Sequence, residues 1–292
     1  MFNIDAACCA HTLCELAEGP VWNRERGELL WLDIKGCRVW RLDGAGSPEV
    51  LCEMAQNIGC MALRGGEGMI LGLAAGIYLS GPAGEFDRLE VPGLSPRVRF
   101  NDGKCDAEGR FWAGTINLFP GENGISQLYC VLPDRRVCRV LDGVTNSNGL
   151  AFSADGSTLY YIDTPTRRVD AFDIRTAGDG MPELANRRTV VRIEEDDVWP
   201  DGMTIDEEEH LWIALWGAGK VGCYDPATGA PLAEVRVPVR AVSSCCFGGD
   251  DMRTLYITTA REGMLPGEAD LAGNVYCARL PVSGAPSHRF KG

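Results

Sequence analysis

Histidine is scarce. The 292 residues hold three, His11, His210 and His288, two near the ends of the chain and one in an acidic stretch, which argues against both a histidine metal cluster and a Ser-His-Asp triad. Long apolar runs are missing as well. The longest, residues 69–79, is too short for a membrane-crossing helix, which needs roughly 20 residues. The opening MFNIDAACCAHTLCE has neither a basic n-region nor an apolar segment, so the reading is no targeting segment and no membrane. The glycine-rich stretches 65–66 and 217–222 lack a P-loop lysine and a strand-to-helix setting, and read as turns. Basic residues are outnumbered 28 to 41, a formal charge of −13, which excludes nucleic acid or an anionic membrane as the main partner and suits a cation.

Cysteine is plentiful but not in the form that carries chemistry. There are thirteen, an odd number, with Cys8-Cys9 and Cys245-Cys246 vicinal and no C-x-x-C pair. That pattern is neither a disulfide framework nor a zinc-finger spacing, and the expectation is reduced, buried thiols in a cytoplasmic protein. Charged residues at 24% and apolar residues at 45% are ordinary for a soluble globular chain. No linker divides the sequence, so residues 1–292 are expected to form one domain.

What is present is a repeat. A small residue, usually glycine, opens a short hydrophobic run; a turn comes next, then a second run often carrying Leu-Trp or Leu-Tyr. The copies begin at Gly19, Gly59, Gly103, Gly149, Gly202 and Cys245, about 40 to 53 residues apart, which is the spacing of four-stranded propeller blades. Residues 38–42, 127–132, 169–174 and 219–224 supply further strands, and no stretch reads as a long amphipathic helix. The fold expected is all-β, a six-bladed β-propeller of four-stranded antiparallel blades, with strands at 12–16 and 274–280 closing the ring. A seven-bladed ring or a β-sandwich is the alternative, and the weak second copy is where the count is most exposed. Trp22, Trp31, Trp112 and Trp212 occupy repeat positions and are read as inter-blade core.

If every copy begins with an inner strand, the residues before the anchors share one end of the central channel. They are Glu18, Ile58, Asp102, Asn148, Asp201 and Ser244. Asp or Asn before Gly is also ordinary turn chemistry, but carboxylates gathered about an axis repel unless a cation sits between them, which points to one hard divalent metal on oxygen ligands. The pattern is compatible with a structural metal as well as a catalytic one. The acidic runs 194–197 and 207–209 read as solvated surface.

Several short motifs then coincide in order and spacing: Ala17-Glu18-Gly19-Pro20-Val21-Trp22, Arg99-Phe100-Asn101-Asp102-Gly103-Lys104, Ser147-Asn148-Gly149-Leu150, Tyr161-Ile162-Asp163, Pro200-Asp201-Gly202-Met203 and Cys245-Cys246-Phe247-Gly248-Gly249. Over nearly the whole chain they resemble the regucalcin-like lactonases, the senescence marker protein and gluconolactonase family. The resemblance implies a six-bladed propeller with a single divalent metal held by Glu18, Asn148 and Asp201, the substrate meeting Arg99 and Asn101 with Asp102 beside them. It further implies hydrolysis of a sugar-acid lactone to the aldonic acid, and Asp201, as a ligand beside the open position, is read as the general base and catalytic residue. Calcium, magnesium, manganese, zinc and ferrous iron all suit that ligand set. One departure is Leu118, where some members carry glutamate; residues 117–126, with Glu122 and Asn123, are expected to reshape one pocket wall. The sugar and the oligomeric state are left open. The rival readings are a non-catalytic calcium-binding regulatory propeller and a metal-dependent esterase or phosphotriesterase on the same scaffold.

Overall fold

The computed structural model describes residues 2–44, 46–81, 84–119 and 121–292. Six antiparallel units succeed one another along the chain. Blade 1 is Ala17–Asn23, Glu28–Asp33, Arg38–Asp43 and Glu49–Glu53. Blade 2 is Ile58–Leu63, Met69–Leu73, Gly76–Ser80 and Phe86–Leu89. Blade 3 is Val98–Cys105, Phe111–Asn117, Ser126–Val131 and Val137–Val144. Blade 4 is Ser147–Phe152, Thr158–Asp163, Arg168–Thr176 and Pro182–Arg192. Blade 5 is Trp199–Ile205, Leu211–Trp216, Lys220–Tyr224 and Pro231–Arg236. Blade 6 is Val242–Gly248, Thr254–Thr259 and Val275–Arg279, completed from the other end of the chain by Ala7–Ala10. This is the expected six-bladed β-propeller, and all six sequence copies become blades.

Ring closure differs in detail from the expectation. The N-terminal strand that pairs with Val275–Arg279 is Ala7–Ala10, not residues 12–16. Thr12 and Leu13 instead give their backbone N–H groups to the Asn274 side-chain oxygen, at 2.9 and 3.2 Å. Residues 2–5 add a parallel fifth strand to the rim of blade 5. The first dozen residues thus stitch two blades together, pairing with the outer strands of blades 5 and 6.

The core lies between blades. Trp22 of blade 1 stacks on Tyr256 of blade 6 at 5.6 Å, Trp112 of blade 3 meets Phe152 of blade 4 at 5.7 Å, and Trp212 of blade 5 meets Phe247 of blade 6 edge-on at 5.8 Å. The four tryptophans of the repeats are all buried, as expected. Each inner strand also breaks register near its anchor: between Glu18 and Val21, Ile58 and Cys60, Phe100 and Gly103, Asn148 and Leu150, Pro200 and Met203, and Val242 and Ser244. A bulge bends the strand and re-aims a side chain. Repeated six times, it turns the polar residues at that level toward the axis. In blades 2 and 4 the anchor is glycine because the next blade presses in: a Cβ on Gly59 would stand 1.9 Å from the Phe100 carbonyl oxygen, and one on Gly149 would stand 2.8 Å from that of Asp201.

At the far end of the channel the C-terminal segment crosses from blade 5 to blades 2 and 3. Ala285 N–H donates to Ile205 O at 3.1 Å, Phe290 N–H to Leu63 O at 2.9 Å, and Lys291 N–H to Gly109 O at 3.1 Å. Above it lies an axial cavity of about 80 Å³, lined by Asp102, Lys104, Met203, Cys245 and, from the tail, Pro286 and His288. All thirteen thiols are free. Among the described residues no helix is long and apolar enough to cross a membrane.

Candidate functional site

The residues singled out from the sequence come together at the open end of the channel. Glu18, Asp102, Asn148 and Asp201 are 7%, 8%, 4% and 9% exposed. Three carboxylates this deep perturb one another. Burial and then Asp102 push the Glu18 carboxyl up to about 8, against the lowering pull of the Gly19 N–H and Arg99. Asp201 is raised well above the usual carboxylate range by burial, then by Glu18 and Asp102. Asp102 is raised by burial, with Lys104 opposing. Burial lowers both nearby cations, Arg99 and Lys104. Two partly desolvated cations therefore face three carboxylates that resist ionising together.

The hydrogen bonds separate held groups from free ones. Asn101 Nδ2 donates to Asn148 Oδ1 at 3.1 Å, to Asn146 Oδ1 at 3.1 Å and to the Ser147 carbonyl at 2.9 Å, while its Oδ1 accepts from Arg99 Nη1 at 2.8 Å. Asn101 is thus a bracket between Arg99 and Asn148, with one acceptor lone pair to spare. Asn148 Nδ2 donates to Thr164 Oγ1 at 2.8 Å, and Thr164 donates onward to the Pro200 carbonyl at 2.9 Å. With its amide nitrogen committed, Asn148 turns its oxygen to the ring. Among the described residues Glu18 accepts only the Gly19 N–H, at 2.9 Å, and no donor meets the Asp201 carboxylate. Asp102 takes the Gly103 N–H at 2.7 Å, and Lys104 spends a proton on the Met203 carbonyl at 2.6 Å.

An oxygen-only set of Glu18, Asn148 and Asp201, buried, mutually repelling and short of donors, fits a hard divalent cation. The residues present suit the group.

Four residues support the ring in roles that the sequence reading did not assign, although Asp163 stood in one of its motifs. Asp33 Oδ1 accepts the Leu16 N–H at 3.2 Å and so ties down the segment leading to Glu18. Asp163 Oδ1 accepts the Asn146 N–H at 2.9 Å and does the same ahead of Asn148. Asn146 and Thr164 are the other two. Asp33 and Asp163 both end a second strand in a hydrophobic-Asp pattern, the one signal that could have found them. On the blade 3 side, Leu118 is 47% exposed, and Glu122 pairs with Arg97 rather than Arg99. In the same segment Arg97 lies over the Phe119 ring at 4.9 Å.

Comparison with known proteins identifies the family and the fold. Residues 16–261 match the family described as SMP-30/Gluconolactonase/LRE-like region. The chain is 38% identical to regucalcin of Xenopus laevis over 274 residues, covering 90% of this chain and 89% of that one. It is 34% identical to a Bacillus subtilis protein provisionally named sugar lactone lactonase YvrE, over 99% of each. Among solved structures, the calcium-binding protein regucalcin from Agrobacterium tumefaciens superposes with a TM-score of 0.89 at 25% identity, covering 99% of both chains. With this match spanning the propeller and every residue of the channel-mouth ring, the chain belongs to the SMP-30/gluconolactonase/LRE-like family.

Proposed function

We propose that residues 1–292 act as one lactonase domain, a metal-dependent hydrolase that opens a sugar-acid lactone to its aldonic acid in the cytoplasm. The family supports lactonase-type chemistry in general. What carries the finer reading is the Asp201 carboxylate, buried at 9% exposure, with no hydrogen-bond donor among the described residues and its pKa held up by burial, then by Glu18 and Asp102.

Glu18, Asn148 and Asp201 would hold the metal, which supplies Lewis-acid polarisation of the lactone carbonyl and offsets the charge that develops on its oxygen. Arg99, fixed by Asn101 and the Phe100 carbonyl, orients the substrate and favours the carboxylate product. Asp201 takes the proton of the attacking water as general base. Asp102 and the spare lone pair of Asn101 accept from sugar hydroxyls. Thr164 and Asp163 keep Asn148 and its approach in place, so that the ring is set before substrate arrives.

The test is acid release from a panel of aldonolactones by chelator-stripped protein, with calcium, magnesium, manganese, zinc or ferrous ion added back singly and spontaneous opening subtracted. Metal-dependent opening that disappears in Asp201→Ala is the expected result. Tight metal binding with no lactone opened would sink the enzymatic reading and favour a calcium-binding regulator, in line with the calcium-binding regucalcin from Agrobacterium tumefaciens.

A further inference from the structure

Blades 3 and 5 share a five-residue frame at the turn between their first two strands. In blade 3, Asp106 accepts the Trp112 indole N–H at 2.7 Å and Arg110 Nε at 2.6 Å; Glu108 stands 3.1 Å from Arg110, and Cys130 is the cross-strand partner of Trp112. Blade 5 repeats it at Asp206, Glu208, His210, Trp212 and Cys223. Asp206 accepts the Trp212 N–H at 2.9 Å, and Cys223 is the cross-strand partner of Trp212. One member changes character. Where Arg110 brings a permanent charge, His210 brings an imidazole whose Nδ1 lies 3.4 Å from Asp206, too long for a charged hydrogen bond.

We propose that Asp206, His210 and Cys223 form a zinc-type metal site, separate from the channel mouth, in which a divalent cation takes the place that the Arg110 guanidinium fills in blade 3. One ligand atom from each of the three lies within 4.8 Å of the other two. Zinc bonds of about 2.0–2.3 Å bring such atoms to roughly 3.3–3.8 Å apart, so the site closes by about an ångström. Asp206 and Cys223 are buried and His210 is a quarter exposed, so access runs past the His210 ring. His210 lines a surface cleft of about 610 Å³ together with Glu208, Glu209, Asp225 and Arg188, an entrance of mostly negative sign. Trp212 and the backbone N–H of His210, 2.8 Å from Asp206 Oδ1, already orient the carboxylate as an outer shell does. The mixed Asp/His/Cys set selects a borderline metal over calcium. Binding displaces the Cys223 thiol proton to solvent, the thiolate becoming the ligand. Water or Glu208 completes the coordination. Asp206 is five residues along the inner strand from Asp201, about 15 Å at the rise of a strand, so the two sites do not share ligands. The third ligand comes from the next strand but one, which is why no sequence spacing disclosed it.

The test uses the full chain, stripped of metal and carrying Glu18→Gln and Asp201→Asn to disable the axial ring. Cobalt(II) is titrated and the near-ultraviolet thiolate-to-cobalt charge-transfer band is read, a band that an oxygen-only site cannot produce. One cobalt per chain with that band, displaced by zinc, is expected. The band should be lost in Cys223→Ser and in His210→Arg. The arginine variant keeps the fold because blade 3 already holds arginine in the same frame, and circular dichroism checks this. Absence of the band, or its persistence in either variant because another thiol binds, overturns the site.

Discussion

Glu18 is the place where stability and function should pull in opposite directions. Its carboxyl holds a proton up to about pH 8 in the fold but only to about 4.3 in an unfolded chain. Between those values the folded state carries a proton that the unfolded state has lost. The associated stability is complete at acid pH and drains away as pH rises through the window. Replacing Glu18 by Gln removes the drain. With the metal stripped, the variant should match the wild type near pH 5 and exceed it near pH 8.5. A gap of about four units at 1.36 kcal/mol each sets a ceiling of about 5 kcal/mol. Water entering the emptied ring reduces this to about 1–3 kcal/mol, or a rise in melting temperature of roughly 2–5 °C for a chain of this size. Thermal melts in chelator at the two pH values are the assay, run beside lactone turnover with metal restored, which should fall about a hundredfold or more. A variant less stable than wild type at pH 8.5, or equally stabilised at both pH values, would refute the reasoning, since neither is expected from relief of a buried, repelled carboxylate.

Asp201→Ala should reduce lactone turnover to the spontaneous rate while leaving the melting temperature of metal-free protein unchanged or higher; retention of most activity with metal present would show that the base is elsewhere. Asn101→Ala should raise KM and also weaken metal binding about tenfold, because Asn148 loses the donor that stands 3.1 Å from its oxygen; a pure KM effect with unaltered metal affinity would mean the bracket is idle. In blade 3, Arg110→Ala leaves Asp106 buried without its cation and should cost about 3–5 kcal/mol, read by denaturant melts. Phe290→Ala, at a fully buried ring of the C-terminal segment, should cost about 3–5 kcal/mol in the same assay; a smaller loss would show that the segment is only loosely attached to blades 2 and 3.

The blades were legible because their signal is local and repeated. A glycine, a hydrophobic run, a turn and a second run recur at a period close enough to count, and six copies average out the weakness of the second. The ring of polar residues was legible for the same reason: Glu18, Asp102, Asn148 and Asp201 stand in one register, and the bulges at that register aim their side chains at the axis. The closing strand was misplaced because Ala7-Cys8-Cys9-Ala10 has no β-branched or aromatic residue and little intrinsic strand signal. Its pairing is imposed by Val275–Arg279 from the far end of the chain. The Asn101 bracket and the tail across the channel were invisible for a related reason. Each is a hydrogen bond between segments distant in sequence, and such bonds leave no period to read.

That division bears on how the site works. The residues that would meet metal and substrate sit on inner strands and announce themselves. The groups that make them competent, Thr164 turning Asn148 and Asp33 pinning the approach to Glu18, belong to second strands and connectors. A ring of three buried carboxylates is unfavourable for the fold, and it persists because the surrounding blades overdetermine its geometry. The closing strand, the inter-blade tryptophan contacts and the C-terminal segment supply that constraint at a distance from the ring. Loosening any of them should therefore reach the site as misplaced ligands before it unfolds the protein: a variant weakened at Phe290 should lose metal affinity at temperatures where its circular dichroism is still native.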